Sequence, residues 1–501
     1  MSTAPPPGSP GIKAVTANPP TRSPARATVT TTRRRPAGWP PDRPRRTVTV
    51  STAAAHGTPP PTPRPSRRAH RRSVAATVVG NFVESFDWLA FGLFAPLFAA
   101  RFFPSSNPVT SLLGVFAVLG VGVLVRPVGG ILLGRLADRR GRKPALLLSI
   151  SLMTAGSLLI AVTPGYQQIG LLAPLLLLLA RIAQGISHGG EWPAATAYLM
   201  EVAPAHRKCL YGGLFSLTTA GGAFTASLLG AGLTGTLSEA AMASWGWRVP
   251  FLVGGVFGVA LLLVRNRLAE TEVFQREVRG HAARGSLRLL LGSHRRQVLL
   301  AVLFAAGLGT VGGSWTSVVP AMGQRLAGPG TMFWVVVCVT GTVMVVQVPI
   351  GLLADRVGAD RFLVCAALVF AALGPWAYLN MTGTFLSLLL AYGSGVVYLM
   401  SATTVLPKLL SEIFPAQLRA LGMGLPYALT SAVLGGIAPV SATYLADRGA
   451  SGWFTAAVAG MVLLVLPAMA LARGGGGQRG RVMPSSRMAV EGGPPSERSV
   501  L

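Results

Sequence analysis

From Val74 onward, long apolar stretches alternate with short polar breaks. The stretches fall near 74–100, 109–133, 144–163, 169–199, 212–233, 247–264, 298–321, 333–354, 361–378, 386–410, 422–446 and 452–472. Each is long enough to cross about 30 Å of hydrocarbon as a helix. After the sixth, residues 265–297 are polar and basic, so the layout is six spans, a linker and six more. The pattern predicts an all-α integral membrane protein with twelve transmembrane helices. Its segments are a basic tail over 1–72, a six-helix bundle over 73–264, a linker over 265–297, a second six-helix bundle over 298–472 and a tail over 473–501. Both tails lack the apolar residues needed to offset ordering entropy and are expected to be disordered.

The two halves share a motif. Gly134-Arg-Leu-Ala-Asp138-Arg139-Arg-Gly141-Arg142-Lys143 follows the second span, and Gly351-Leu-Leu-Ala-Asp355-Arg356-Val-Gly358 follows the eighth. The same pattern at the same place in each half predicts a pseudo-symmetric duplication, as in transporters built from repeats.

Composition agrees with a bilayer environment: 51% of residues are hydrophobic and 12% charged, against about 25% charged in soluble proteins. The net charge of +28 would suit a nucleic-acid binder, but its distribution does not. Residues 1–72 hold 14 Lys/Arg against one acid, Asp42, and lack interleaved aromatics apart from Trp39. No specific nucleic-acid partner is expected, only attraction to anionic surfaces. Between spans, nineteen Lys/Arg fall on one side and four on the other. The bias places both termini and the linker in the cytoplasm. Arg71-Arg72 could open a twin-arginine export signal, but the apolar run that follows carries two acids and no A-x-A cleavage pattern. It reads as the positive flank of a retained helix. Three scattered cysteines give neither a disulfide framework nor a metal site, and no cofactor is expected.

Charges inside the spans carry the candidate chemistry, because an ionised group at mid-bilayer costs several kcal/mol. Glu84 and Asp87 lie in the first span, Arg126 in the second, and Arg181 and Glu191 in the fourth. The second half has none at comparable depth. Glu84 and Asp87, three apart, share a helix face. Two neighbouring carboxylates cannot both ionise cheaply there, so one is suited to take up and release a proton. Asp87 alternating between Arg181 and a proton would be a coupling switch, with Glu84 as modulator; the alternative is a permanent ion pair that only fixes packing. Arg126 would meet an anionic substrate group or balance the acids. Gln184, Trp315, Tyr392, Tyr398 and Tyr427 are weaker candidates for a substrate cavity; the aromatic residues at such positions more often serve the bundle core or interhelical hydrogen bonding. His188 reads as a packing residue.

These residues resemble a known family. Gly134 to Lys143 matches the G-x-x-x-D-[RK]-x-G-[RK]-[RK] signature of the major facilitator superfamily. Asn81-Phe-Val-Glu84-Ser-Phe-Asp87, Arg126-Pro127-Val-Gly129-Gly130, Arg181 through Glu191, Trp245 through Phe251 and Ser411-Glu412-Ile-Phe414-Pro415 resemble its metabolite:proton symporters, which include proline/betaine, α-ketoglutarate, shikimate and citrate carriers. The resemblance covers about 73–446. It implies two six-helix bundles working by alternating access around a central site, with Asp87 and Arg181 as a protonation switch. It also implies a charge network that closes the cytoplasmic gate, made of Gly134, Asp138, Arg139, Gly141, Arg142, Glu201 and Arg207 with Asp355, Arg356, Glu412 and Arg419. Departures are Tyr427-Ala428 where Tyr-Asn is usual, Ala359-Asp360-Arg361 where a basic pair is usual, and His188 where a small residue is usual.

The reading is a plasma-membrane transporter, functional as a monomer, that couples protons to uptake of a small organic acid or zwitterion. Its rivals are a proton-antiporting exporter of the same fold and an integral-membrane enzyme. An enzyme would need an acid, His or Cys constellation at a membrane surface that the loops do not supply.

Overall fold

A computed structural model describes residues 67–140, 142–267, 287–415 and 418–474. The tails, except for 67–72 and 473–474, and the central part of the linker lie outside the described residues. The described residues from His70 onward form one compact unit, and every element among the described residues is helical.

Eleven helical segments are long and apolar enough to cross a membrane. One of them, Arg295–Val357, has 63 residues, far more than the roughly 20 that one crossing needs. It holds two crossings. The chain breaks at Gly328 (φ 81°, ψ 160°), a conformation open to glycine, and Pro329 starts the next helix. The crossings therefore number twelve, six on either side of the linker, as the apolar pattern predicts.

The first half comprises α1 (Arg67–Phe102), α2 (Pro108–Leu124) and α3 (Arg126–Arg140), which form one bent crossing, α4 (Arg142–Val162), α5 (Leu172–Val202), α6 (Lys208–Thr236) and α7 (Val249–Arg267). The second half comprises α8 (Arg295–Trp315), α9 (Val318–Val357, whose part before Gly328 completes the crossing that α8 begins and whose part after it is the next crossing), α10 (Ala359–Leu379), α11 (Phe385–Ile413), α12 (Arg419–Thr430), α13 (Gly436–Asp447), α14 (Ser451–Leu463) and α15 (Val465–Gly474). A π-helical turn over Ser431–Gly435 joins α12 to α13, and such turns mark functional segments in many helices. Leu175, Val256, Val345, Leu386 and Trp453 are more than half exposed. Such a surface suits lipid, not water.

The halves meet along α6 with α9 and α11, and along α2 with α13. Glycines permit the close approach: a Cβ on Gly120 would lie 2.7 Å from the Gly436 carbonyl oxygen. Contacts join the halves at both ends of the bundle. At the end where α1 starts, the near end, Asp355 of α9 accepts from the Cys209 and Leu210 amides at 2.9 and 3.0 Å. It thereby satisfies the open first turn of α6 from the other half. At the far end, Gln324 Nε2 donates to the Leu93 carbonyl oxygen at 2.7 Å, and Phe94 packs on Phe333 with ring centres 4.9 Å apart.

Candidate functional site

Helical spacing sets two facing stripes. On α1, Glu84, Asp87, Trp88 and Phe91 lie at i, i+3, i+4 and i+7. On α5, Arg181, Gln184, His188 and Trp192 follow at intervals of three and four. Arg126, at the start of α3, joins them because α5 presents glycines to that crossing. A Cβ on Gly185 would strike the Gly122 carbonyl oxygen, and one on Gly189 the Arg126 carbonyl oxygen. Arg181 is fully buried, Asp87 is 3% and Glu84 5% exposed, and Arg126 is 9% exposed. Four ionisable groups thus sit together away from water.

Their partners differ from the simplest sequence expectation. Arg181 reaches Asp87 through Gln184. Arg181 Nη1 donates to Gln184 Oε1 at 2.6 Å, and Gln184 Nε2 donates to Asp87 Oδ2 at 2.6 Å. The interposed amide fixes both ions without direct contact. The other carboxylate oxygen, Oδ1, accepts from the Ser157 hydroxyl of α4, which also lies 3.1 Å from the Met153 carbonyl oxygen. That hydroxyl can serve both states of the acid. It donates to Asp87 when the acid is ionised, and it can accept from a protonated Asp87 while donating to Met153. A proton can come and go with little movement of heavy atoms.

Trp88 is the hub of the second part. The guanidinium carbons of Arg126 and Arg181 lie 4.0 and 4.1 Å from its ring centre, and the His188 ring stacks on it at 5.7 Å. Arg181 also lies 4.1 Å from the Phe91 ring. Desolvated cation–π contacts of this kind are worth about 2 kcal/mol each. They hold the arginines without neutralising them. Arg126 Nε, and Arg181 Nε and Nη2, are buried with no hydrogen-bond acceptor among the described residues. Glu84 pairs with His188 Nδ1, so His188 is part of the ion cluster and not a plain packing residue.

A narrow crevice opens beside this cluster, lined by Arg126, His188, Gly189 and Trp192 from the first half and by Tyr427, Ala428 and Ser431 from the second. Trp192 and Tyr427 stack across it with ring centres 3.7 Å apart. Of the expected cavity residues, Arg126 and Tyr427 line the crevice and Gln184 serves the ion cluster. Trp315, Tyr392 and Tyr398 do not line it. Trp315 is fully buried, donates to the Ala391 carbonyl oxygen at 2.8 Å and packs on Phe370 and Tyr378. Tyr398 packs on Phe370, and Tyr392 is 1% exposed in the same core. Their faces pack within the second half, where apolar burial outweighs a place at the centre. Sequence reasoning missed Trp88, Ser157 and Trp192. Trp88 sits next to Asp87 and carried a signal; Ser157 resembles any small polar residue in a span.

Of the expected gate, Asp355 caps α6 and lies 4.0 Å from Lys408. Arg419 lies 3.9 Å from Glu201, joining α12 to α5. Arg207, Arg356 and Glu412 are exposed at the near end. Gly134 lies in α3, Gly141 lies outside the described residues, and so do the side chains of Asp138, Arg139 and Arg142.

Comparisons with known proteins agree with this architecture. Residues 73–300 match the family of sugar (and other) transporters. The chain is 37% identical over 408 residues to an alpha-ketoglutarate permease of Escherichia coli (strain K12), covering 80% of this chain and 93% of that one. It is 33% identical over 398 residues to a citrate-proton symporter of Klebsiella pneumoniae, covering 76% and 88%. Among solved structures, a D-xylose-proton symporter superposes with a TM-score of 0.62 at 16% identity, over 80% of this chain and 97% of that one. The twelve crossings, the buried ion cluster of the first half and these relatives together make the chain a multi-pass membrane transporter that belongs to the metabolite:proton symporters of the major facilitator superfamily.

Proposed function

We propose that this protein is a proton-coupled symporter of a small organic carboxylate, working by alternating access. The observation that carries the reading is the placement of Arg126. It is a buried guanidinium on the wall of a crevice between the halves, with Nε lacking an acceptor, beside a carboxylate that can exchange a proton. A substrate carboxylate would supply what Arg126 lacks, by a charge-assisted hydrogen bond. The relatives named for α-ketoglutarate and citrate carry the same preference.

Asp87 is the main proton carrier in this reading. With Asp87 ionised, the Gln184 relay ties it to Arg181. Protonation weakens that tie and frees Arg181 toward the crevice, so proton and anion favour the same state. The near end, where Asp355 caps α6 and Arg419 faces Glu201, is the cytoplasmic gate, and both termini lie on that side. The Lys/Arg bias of the loops supports this orientation. The protein works as a monomer of two six-helix bundles in the plasma membrane, with lipid as its surroundings and no specific nucleic-acid partner.

The test is uptake of radiolabelled α-ketoglutarate or citrate into proteoliposomes under an inward proton gradient. Accumulation that collapses with the gradient supports the reading. Uptake of either anion that is indifferent to pH removes the proton coupling, and failure to take up any carboxylate removes the substrate class.

A further inference from the structure

We propose that the Glu84–His188 pair is a second proton site, loaded when a dicarboxylate enters the crevice, so that a dianion crosses with two protons rather than one. The inference rests on the carboxylate symport reading above.

The starting point is charge balance. Among the described residues, the buried cluster holds two arginines, Arg126 and Arg181, and two carboxylates, Glu84 and Asp87. With His188 neutral, these four described groups sum to no net charge. A region this dry tolerates little imbalance, because charges there are poorly screened. A dianion adds two negative charges, and two protons restore neutrality. Asp87, held by Ser157 and Gln184, is one place for them. The other is the Glu84–His188 pair, which stands at the crevice itself. His188 lines the wall, and Glu84 contacts it from behind.

The groups facing His188 favour the assignment. Glu84 of α1 supplies the negative partner, Arg126 of α3 lines the same crevice, and Tyr427 of α12 stands on the opposite wall. Arg181 lies on the same α5 face as His188 and shares the Trp88 ring with it. In the empty site the two arginines oppose a third positive charge. An anion beside Arg126 offsets that opposition and draws the proton in. By linkage, protonation of the pair tightens anion binding equally. Carboxylate binding is then strongest at low pH and weakens as pH rises, about tenfold per pH unit for each linked proton.

The pair is separable from Asp87 by experiment. The full-length protein in detergent is mixed with α-ketoglutarate, or with citrate, in weak buffer containing an indicator dye, and protons taken up per bound anion are counted. The unaltered protein is expected to take up about two protons per α-ketoglutarate. His188→Gln, which cannot hold the proton, is expected to take up about one and to bind the anion more weakly at about pH 6. His188→Lys, charged throughout, is expected to take up about one as well and to bind the anion more tightly than the unaltered protein at about pH 8, its affinity falling about tenfold per pH unit through Asp87 alone. A merely structural histidine would leave the proton count at about two in both variants, and would not make binding weaker in the glutamine variant at about pH 6 and tighter in the lysine variant at about pH 8. Proton uptake unchanged in whichever of them folds overturns the inference, while the symport reading survives on Asp87. If neither anion raises the melting temperature of the unaltered protein, the carboxylate reading falls first and the inference with it.

Discussion

The two halves of the molecule treat buried polarity in different ways. In the second half, the buried polar side chains among the described residues are hydroxyls and amides, and most hydroxyls bond within their own helix. Thr310 donates to the Ala306 carbonyl oxygen at 2.9 Å, Thr340 to that of Val336 at 2.6 Å and Thr404 to that of Met400 at 2.6 Å. Such groups satisfy themselves one turn back and need nothing from neighbouring helices. The first half instead buries Glu84, Asp87, Arg126 and Arg181, drawn from α1, α3 and α5. Apart from the Arg181–Gln184 bond within α5, their partners lie on other helices, so their stability depends on how these helices sit against one another. A helix movement that leaves the second half comfortable therefore changes the electrostatic energy of the first. On the function proposed above, proton occupancy would bias helix arrangement in the first half while the second supplies shape and a moving wall.

Substitutions can break or sharpen that contrast. The largest effect is expected for Asp87→Asn, which should reduce gradient-driven accumulation to the level of empty vesicles while the protein still folds. Accumulation equal to that of the unaltered protein would remove Asp87 from the mechanism. Next is Gly189→Leu. Its side chain would meet the Arg126 backbone, so α3 must retreat, destabilising the protein by about 1–3 kcal/mol and displacing Arg126 from the crevice. Thermal unfolding together with anion affinity would show both losses. In the second half, Trp315→Phe should lower stability by about 1 kcal/mol through the lost bond to Ala391 and leave the KM for uptake unchanged; a raised KM would return Trp315 to the substrate site. The smallest effect is expected for Asp355→Asn. It removes a charged cap on α6 and should cost about 1 kcal/mol or less, read as faster alkylation of a cysteine probe placed near Cys209.

Much of the scaffold was legible along the chain. Runs of apolar residues mark each crossing because the bilayer demands about 20 of them, and the Gly328-Pro329 corner falls in the break between the seventh and eighth runs. Asp87 and Arg181 stood out because ions in such runs are costly. Their connection did not, because Gln184 is one of several polar residues with the right spacing. His188 looked like packing until α1 brought Glu84 against it. Trp315, Tyr392 and Tyr398 stood as cavity candidates beside the more usual packing role, since an aromatic in a span gives no sign of which neighbour it faces.

Local chemistry was enough for the number of crossings, the break into six and six, and the identity of the ions carried into oil, because bilayer thickness and desolvation act on each segment separately. The partners of those ions follow instead from how distant helices are rotated and how closely they approach. The glycine contacts at Gly122, Gly185 and Gly189 set that approach, and they became visible once α2, α3 and α5 were assembled. Pairing between helices depends on angle and distance in three dimensions, and the order of residues along one helix contains neither.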